Sequence, residues 1–172
     1  MSFDNSQNRE ISNVAALKVP PHSVDAEQAV LGGLMLDNTE WDNLADVLLP
    51  EDFYRPEHQI IFRVMSLQSE ANSPIDVVTL VESLNSLNEL EGAGGVEYLS
   101  ELTDNARGTA NIHAYAEIIR ERAILRRLIS VANGIANSGY NTGGKKAAAV
   151  LDEAEQQVFN IADERPQDQG PI

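Results

Sequence analysis

The sequence predicts an all-α protein, a compact helical bundle followed by an antiparallel helical hairpin. Three observations carry that expectation. No segment alternates apolar and polar residues at the period of a strand, and apolar residues recur instead at spacings of three and four. Ser, Asp, Pro and Gly stand where helix ends require them. One helical pattern also runs much longer than the others, and another follows it after a glycine-bearing turn.

The elements follow in order. Residues 1–17, rich in Ser, Asn and Gln, read as a disordered tail. Pro20-Pro21 extends the chain, Ser23 caps a helix with Asp25 and Glu27 in its first turn, and Asp37-Asn38 ends it. Within that helix Val30, Leu31, Leu34 and Met35 share a face. Gly32-Gly33 costs a helix interior about 1 kcal/mol per residue, so the pair predicts another backbone packed close by. A short helix from Glu40 to Leu48 carries Trp41, Leu44 and Val47 and stops at Pro50. Pro56 opens the next, with Ile60, Ile61, Val64 and Leu67 inward. Asp76 caps a helix bearing Val77, Leu80, Val81, Leu84 and Leu87, and Gly92–Gly95 turns the chain into one bearing Val96, Leu99 and Leu102.

From Ala110 to Ser138 the helical pattern spans about 43 Å, more than so small a globule can cover. It carries two neighbouring apolar stripes: Tyr115, Ile118, Leu125, Ile129 and Ala132 beside Ile112, Ile119, Ala123, Leu128 and Ile135. Gly139 is the expected C-cap and Tyr140–Lys146 the turn. A second helix, Ala147 to about Glu164, places Ala147, Leu151, Ala154, Val158 and Ile161 at coiled-coil spacing. One partner helix covers one stripe, so the hairpin keeps apolar surface to spare, and such a surplus usually marks an interface. Pro166 stops that helix and 166–172 reads as the start of a linker. The expected organisation is therefore tail 1–17, globule 18–108, hairpin 109–165 and linker 166–172.

Charge sharpens the division. The net charge is −15, and residues 22–109 hold 17 acids against Arg55, Arg63 and Arg107, a net of −14, whereas 110–165 balance. An acidic globule repels phosphate backbones, which excludes strong nucleic-acid binding by this chain. There are no cysteines, so thiolate sites and disulfides are excluded. No apolar run is long enough to span a membrane, and a cytoplasmic protein is expected.

No active site is read from the sequence. Gly139-Tyr-Asn-Thr-Gly-Gly144-Lys145-Lys146 nearly matches a phosphate-binding loop, but Lys146 stands where Ser or Thr must hold magnesium, and no strand precedes it. His22, His58 and His113 lack paired metal-ligand spacing and read as surface or capping residues. Catalytic, cofactor and metal residues are accordingly expected to be none. Arg120, Arg122, Arg126 and Arg127, interleaved with Glu117 and Glu121, suit either internal ion pairs or a docking site for an acidic partner.

Lys18-Val-Pro-Pro-His-Ser-Val-Asp-Ala-Glu-Gln-Ala-Val-Leu-Gly-Gly-Leu-Met-Leu-Asp-Asn38 closely resembles the first helix of the N-terminal domain of bacterial replicative DNA helicases, the DnaB family. Asp52–Phe62, Ile75–Leu80, Gly94–Leu99 and Ala110–Tyr115 resemble further blocks of that family, in family order, so the resemblance covers about Lys18 to Arg165. It implies an α-helical globule and hairpin forming a collar in a hexamer, as a trimer of dimers paired through hairpins, with primase docked on the hairpin region. A helicase loader is a further possible partner. It implies a parent enzyme that uses ATP and magnesium to unwind DNA, through an ATPase domain this chain does not carry. Tyr115, Ile118, Ile119, Leu125, Leu128 and Ile129 are the candidates for self-association, and Arg126, Arg127, Ile135, Tyr140 and Leu151 for primase docking. The alternative is a stand-alone acidic helical adaptor or DNA-mimic inhibitor.

Overall fold

The computed structural model describes residues 18–108 and 111–163. The expected tail, the start of the long helix at 109–110, and the segment from 164 with Pro166 and the linker lie outside the described residues. Among the described residues there are seven α-helices and no strand. They are α1 (Val24–Leu36), α2 (Trp41–Ala45), α3 (Pro56–Glu70), α4 (Val77–Ser86), α5 (Gly95–Ala106), α6 (Ile112–Tyr140) and α7 (Ala147–Asp163). Single 3-10 turns cover Asn38–Glu40 and Pro50–Asp52.

The helix ends are set by local chemistry. Ser23 Oγ accepts the Ala26 N–H at 3.2 Å. Asp76 and Thr79 form a reciprocal capping box, and Pro56 stands in the first turn of α3. Asn38 is less obvious: its side-chain amide donates to Leu34 O and to Ile75 O while its carbonyl accepts from Ile75 N–H, so one residue closes α1 and pins the loop before α4.

Helix α1 is the hub, with α5, α6 and α3 packed around it. The glycine pair explains how close they come. A Cβ on Gly32 would strike the backbone carbonyl of Leu102 and lie 2.7 Å from Ala106 Cβ, and one on Gly33 would lie 2.8 Å from Ile112 Cδ1. The close-packing expectation therefore holds, with α5 against Gly32 and the start of α6 against Gly33. Below α1 the core is aromatic, with Phe62 5.1 Å from Trp41 and 5.0 Å from Phe53 between ring centroids.

Several inward assignments change. The buried face of α3 is His58, Ile61, Phe62, Val64, Met65 and Gln68; Ile60 is half-buried and Leu67 exposed. Leu87 and Val96 are exposed as well. The Glu40–Leu48 helix is shorter than expected, because Asp37 accepts from Thr39 N–H and starts a separate 3-10 turn ahead of α2. Pro50 begins a turn instead of ending a helix, since its fixed φ suits a first turn.

Helices α6 and α7 form the hairpin. Gly139 does not cap α6; the helix continues to Tyr140, and Asn141 closes it by donating to Asn137 O at 2.9 Å. The reversal occurs at Gly143 and Gly144, whose φ values of +64° and +84° favour glycine. Lys145 Nζ lies 2.6 Å from Glu153 Oε1, tying the end of the turn to α7. The near-match to a phosphate loop is thus helix end, turn and helix start.

Candidate docking surface

The first half of α6 belongs to the globule. Ala116, Ile119 and Ala123 are buried, and Ile112, Tyr115 and Ile118 pack against the core from partly buried positions. Ile119, expected in a self-association surface, is 1% exposed in the core and is withdrawn from that role. Tyr115 and Ile118 are likewise largely engaged with their own globule. The cause is the glycine pair: α1 approaches so closely that the stripe expected to face a second copy meets this chain first.

Two arginines fasten the helix there. Arg120 Nη1 donates to Asp52 Oδ1 at 3.0 Å, and Asp52, 0% exposed, also accepts the Leu49 N–H at 2.9 Å. Burial raises the Asp52 carboxyl above its usual value, opposed by the Leu49 hydrogen bond and the charges of Arg120 and Arg127. Such a pair gains little over desolvation, so its contribution is chiefly geometric. Arg126 donates to Asp52 O at 2.6 Å and to Pro21 O at 2.7 Å, and its guanidinium lies 5.5 Å over the Tyr54 ring. His22 stacks on Tyr54 with centroids 4.1 Å apart. Burial pulls the Arg126 guanidinium below its usual value, with Glu27, Asp52 and Tyr54 opposing. Arg120 and Arg126 thus both reach Asp52, one at its carboxylate and the other at its backbone carbonyl. Arg120 joins α6 to the Asp52 carboxylate, and Arg126 joins it to the loop carbonyls of Pro21 and Asp52.

From Leu125 onward the hairpin carries apolar residues that the globule does not cover. On α6 Leu125, Leu128, Ile129 and Ala132 remain exposed at helical spacing, and Ile135 is half-exposed. On α7 the inner seam is Val150, Ala154 and Ile161, while Leu151 at 62% and Val158 at 46% face outward, contrary to the coiled-coil reading. A two-helix hairpin covers one stripe per helix, and these residues lie on the other. Phe159, 63% exposed, was missed; its signal is the spacing of Leu151, Val158 and Phe159 at i, i+7 and i+8. Tyr140, at 89%, marks the tip. Arg127 lines a cleft between the helices with Val131, Gly134, Gln157 and Ile161.

The polar cluster in the globule was missed too. Glu27, 1% exposed, accepts from Tyr54 N–H at 2.8 Å and Arg55 N–H at 3.3 Å, and its Oε1 lies 2.7 Å from His58 Nδ1. His58, fully buried rather than on the surface, reaches Tyr98 OH with Nε2 at 2.6 Å, and Gln28 donates to the same hydroxyl at 3.2 Å. With the Nδ1 proton directed at Glu27, Nε2 accepts the tyrosine proton and each group is satisfied. Burial raises the Tyr98 hydroxyl above its ordinary value, in keeping with its place as the proton donor to His58. The cluster is structural. Its signal was positional, because Glu27 aligns with Leu31 and Leu34, and His58 with Ile61 and Met65, at apolar-stripe spacing.

Residues 19–121 match the family model described as DnaB-like helicase N terminal domain. The chain belongs to this family. It is 48% identical over 151 residues to the replicative DNA helicase DnaB of Haemophilus influenzae, covering 88% of this chain and 32% of that protein. The chain thus spans about a third of the length of that relative. Among solved structures it is similar to the N-terminal domain of DnaB helicase from Mycobacterium tuberculosis, at a TM-score of 0.79 and 34% identity, covering 83% of this chain and 99% of that one. It is also similar to the N-terminal domain of DnaB helicase from Helicobacter pylori, described with its interactions with primase (TM-score 0.57, 27% identity, covering 67% and 90%). The family match ends at Glu121, just before the second arginine fastening α6, so it spans the globule and the seated part of the long helix. No described helix is long and apolar enough to cross a membrane. Among the described residues no group of three or more His, Asp or Glu side chains could hold a metal.

Proposed function

We propose that the chain serves as the N-terminal collar of a hexameric replicative DNA helicase, pairing subunits through its hairpin into a trimer of dimers and docking primase. The observation that carries this reading is the hairpin from Leu125 onward, which presents Leu125, Leu128 and Ile129 on one helix and Leu151, Val158 and Phe159 on the other without cover. Family membership supplies the setting, and the Helicobacter pylori domain, described with its interactions with primase, supports the partner. Unwinding, with ATP and magnesium, belongs to the parent enzyme in the cytoplasm, and a loader is a further partner there. None of these 172 residues carries an ATPase motif. The acidic globule encircles DNA without gripping it. The adaptor or DNA-mimic alternative loses ground because Glu27 and Asp52 are buried and bonded inside the fold and form no phosphate-like row.

Pairing is tested by sedimentation at tens of micromolar. The wild type runs as a dimer or larger, and Leu125→Asp with Ile129→Asp makes it monomeric with unchanged helical circular dichroism; a monomeric wild type overturns hairpin pairing. Ile119 is unsuitable for this purpose, since its loss damages the core.

Primase docking rests on Arg127, Ile135, Tyr140 and Leu151. Arg126 leaves the candidate set, because reversing its charge would release Pro21 and Asp52 and unseat the helix. Tyr140→Ala with Leu151→Ala weakens the complex about tenfold in calorimetry, equivalent to about 1.4 kcal/mol. Unchanged affinity moves the site off the hairpin.

A further inference from the structure

A groove lies on the globule, away from the hairpin. The C-terminal halves of α3 and α4 enclose a groove of about 390 Å³ lined by Val64, Leu67, Gln68, Ala71, Ser73, Ser83, Ser86 and Leu87. That volume is within the range of ligand clefts. Leu67 and Leu87 on its walls are each 48% exposed, an apolar surface the fold does not cover.

Gln68 makes the groove more than a crease between helices. It is 5% exposed, and its Oε1 accepts no hydrogen bond. A buried acceptor without a donor is costly, and the large majority of buried polar side-chain atoms find a partner. Rotation about the last torsion of a glutamine is soft, so the carbonyl can turn toward a donor entering the groove.

Electrostatics selects the donor. Ala71 and Leu87, the C-caps of α3 and α4, both line the groove, so two helix C-termini, each the negative end of its dipole, converge there. Neither helix has a base in its last turn to offset this. Glu82 lies one turn before the groove residue Ser86 on α4. Arg63, the base on α3 nearest the groove, is paired with Glu89. The site thus combines apolar walls, an unmet acceptor and a negative rim.

We infer that this groove binds a peptide segment of a protein partner that presents an aliphatic side chain next to an arginine or lysine. The aliphatic side chain enters between Leu67 and Leu87. The cationic head, or the backbone N–H beside it, donates to Gln68 and faces the two helix ends. This site is independent of hairpin pairing and of the primase surface.

The test is a 15N-1H NMR titration of the full 172-residue chain with acetyl-Leu-Arg-amide, using acetyl-Leu-Glu-amide and acetyl-Ala-Arg-amide as controls. The first peptide is expected to shift the Leu67, Ala71 and Leu87 amides and the Gln68 side-chain amide, with millimolar affinity. Each control should bind about fivefold more weakly, the order of one helix-terminus charge or one partly buried aliphatic group. Gln68→Leu removes the unmet acceptor, so it should melt no lower than the wild type while losing the shifts. No shifts at these residues, shifts scattered over the acidic surface, equal binding of the glutamate peptide, or full binding by Gln68→Leu would each overturn the inference.

Discussion

Glu27→Ala is expected to destabilise the chain by about 3–5 kcal/mol in urea denaturation, the cost of leaving a buried polar cluster without its acceptor. Glu27 accepts from two backbone N–H groups and the His58 ring, all in or near the core. Alanine leaves His58 with no acceptor at Nδ1 and opens the turn at Tyr54, on which His22 and Arg126 are seated. Total stability is normally about 5–15 kcal/mol, so the variant is close to unfolding at moderate temperature. A cycle with His58→Ala separates the cluster from simple packing. If the two groups act as one unit, the double variant costs well under the sum of the singles. A loss below about 1 kcal/mol for Glu27→Ala would contradict the structural role assigned to the cluster.

Gly32→Ala and Gly33→Ala should part company despite being neighbours. In an exposed helix each would gain about 1 kcal/mol from propensity. At Gly32 the new methyl meets the Leu102 backbone carbonyl and Ala106 Cβ, and neither can move unless α5 shifts as a body. A net loss of about 2 kcal/mol is expected there, since overpacking costs of this kind exceed the propensity gain. At Gly33 the obstacle is the end of the Ile112 side chain, which can rotate aside, so the change should be near neutral. Thermal melts of the two variants check the contrast; equal melting temperatures would mean that α1 and α5 are not in rigid contact.

These residues also show what could be read from the sequence. Caps at Ser23 and Asp76, the proline at α3 and the glycine pair were legible because each is a local rule with a local cause. The long helix was legible from its length, and its surplus stripe from counting faces. Tertiary outcomes were not. Nothing local tells whether Ile119 or Leu128 meets the globule, because that depends on where α1 sits. Arg126 was not placed for the same reason: it binds Pro21 and Asp52, 105 and 74 residues away, and pairing by sequence proximity could not find them. Glu27 and His58 looked like a dipole acid and a surface histidine, although their places on apolar stripes were visible.

Helix α6 is continuous from the core to the hairpin tip, and its mechanics follow from that continuity. It is gripped as far as Arg126, so the stretch from Arg127 to Tyr140 is a cantilever of about 21 Å. A tilt of about 5° at the root displaces the tip by about 2 Å, enough to misalign side chains across a packed interface. The small contacts around Tyr54 therefore aim the far end of the molecule, and strain applied at the tip is felt at the root.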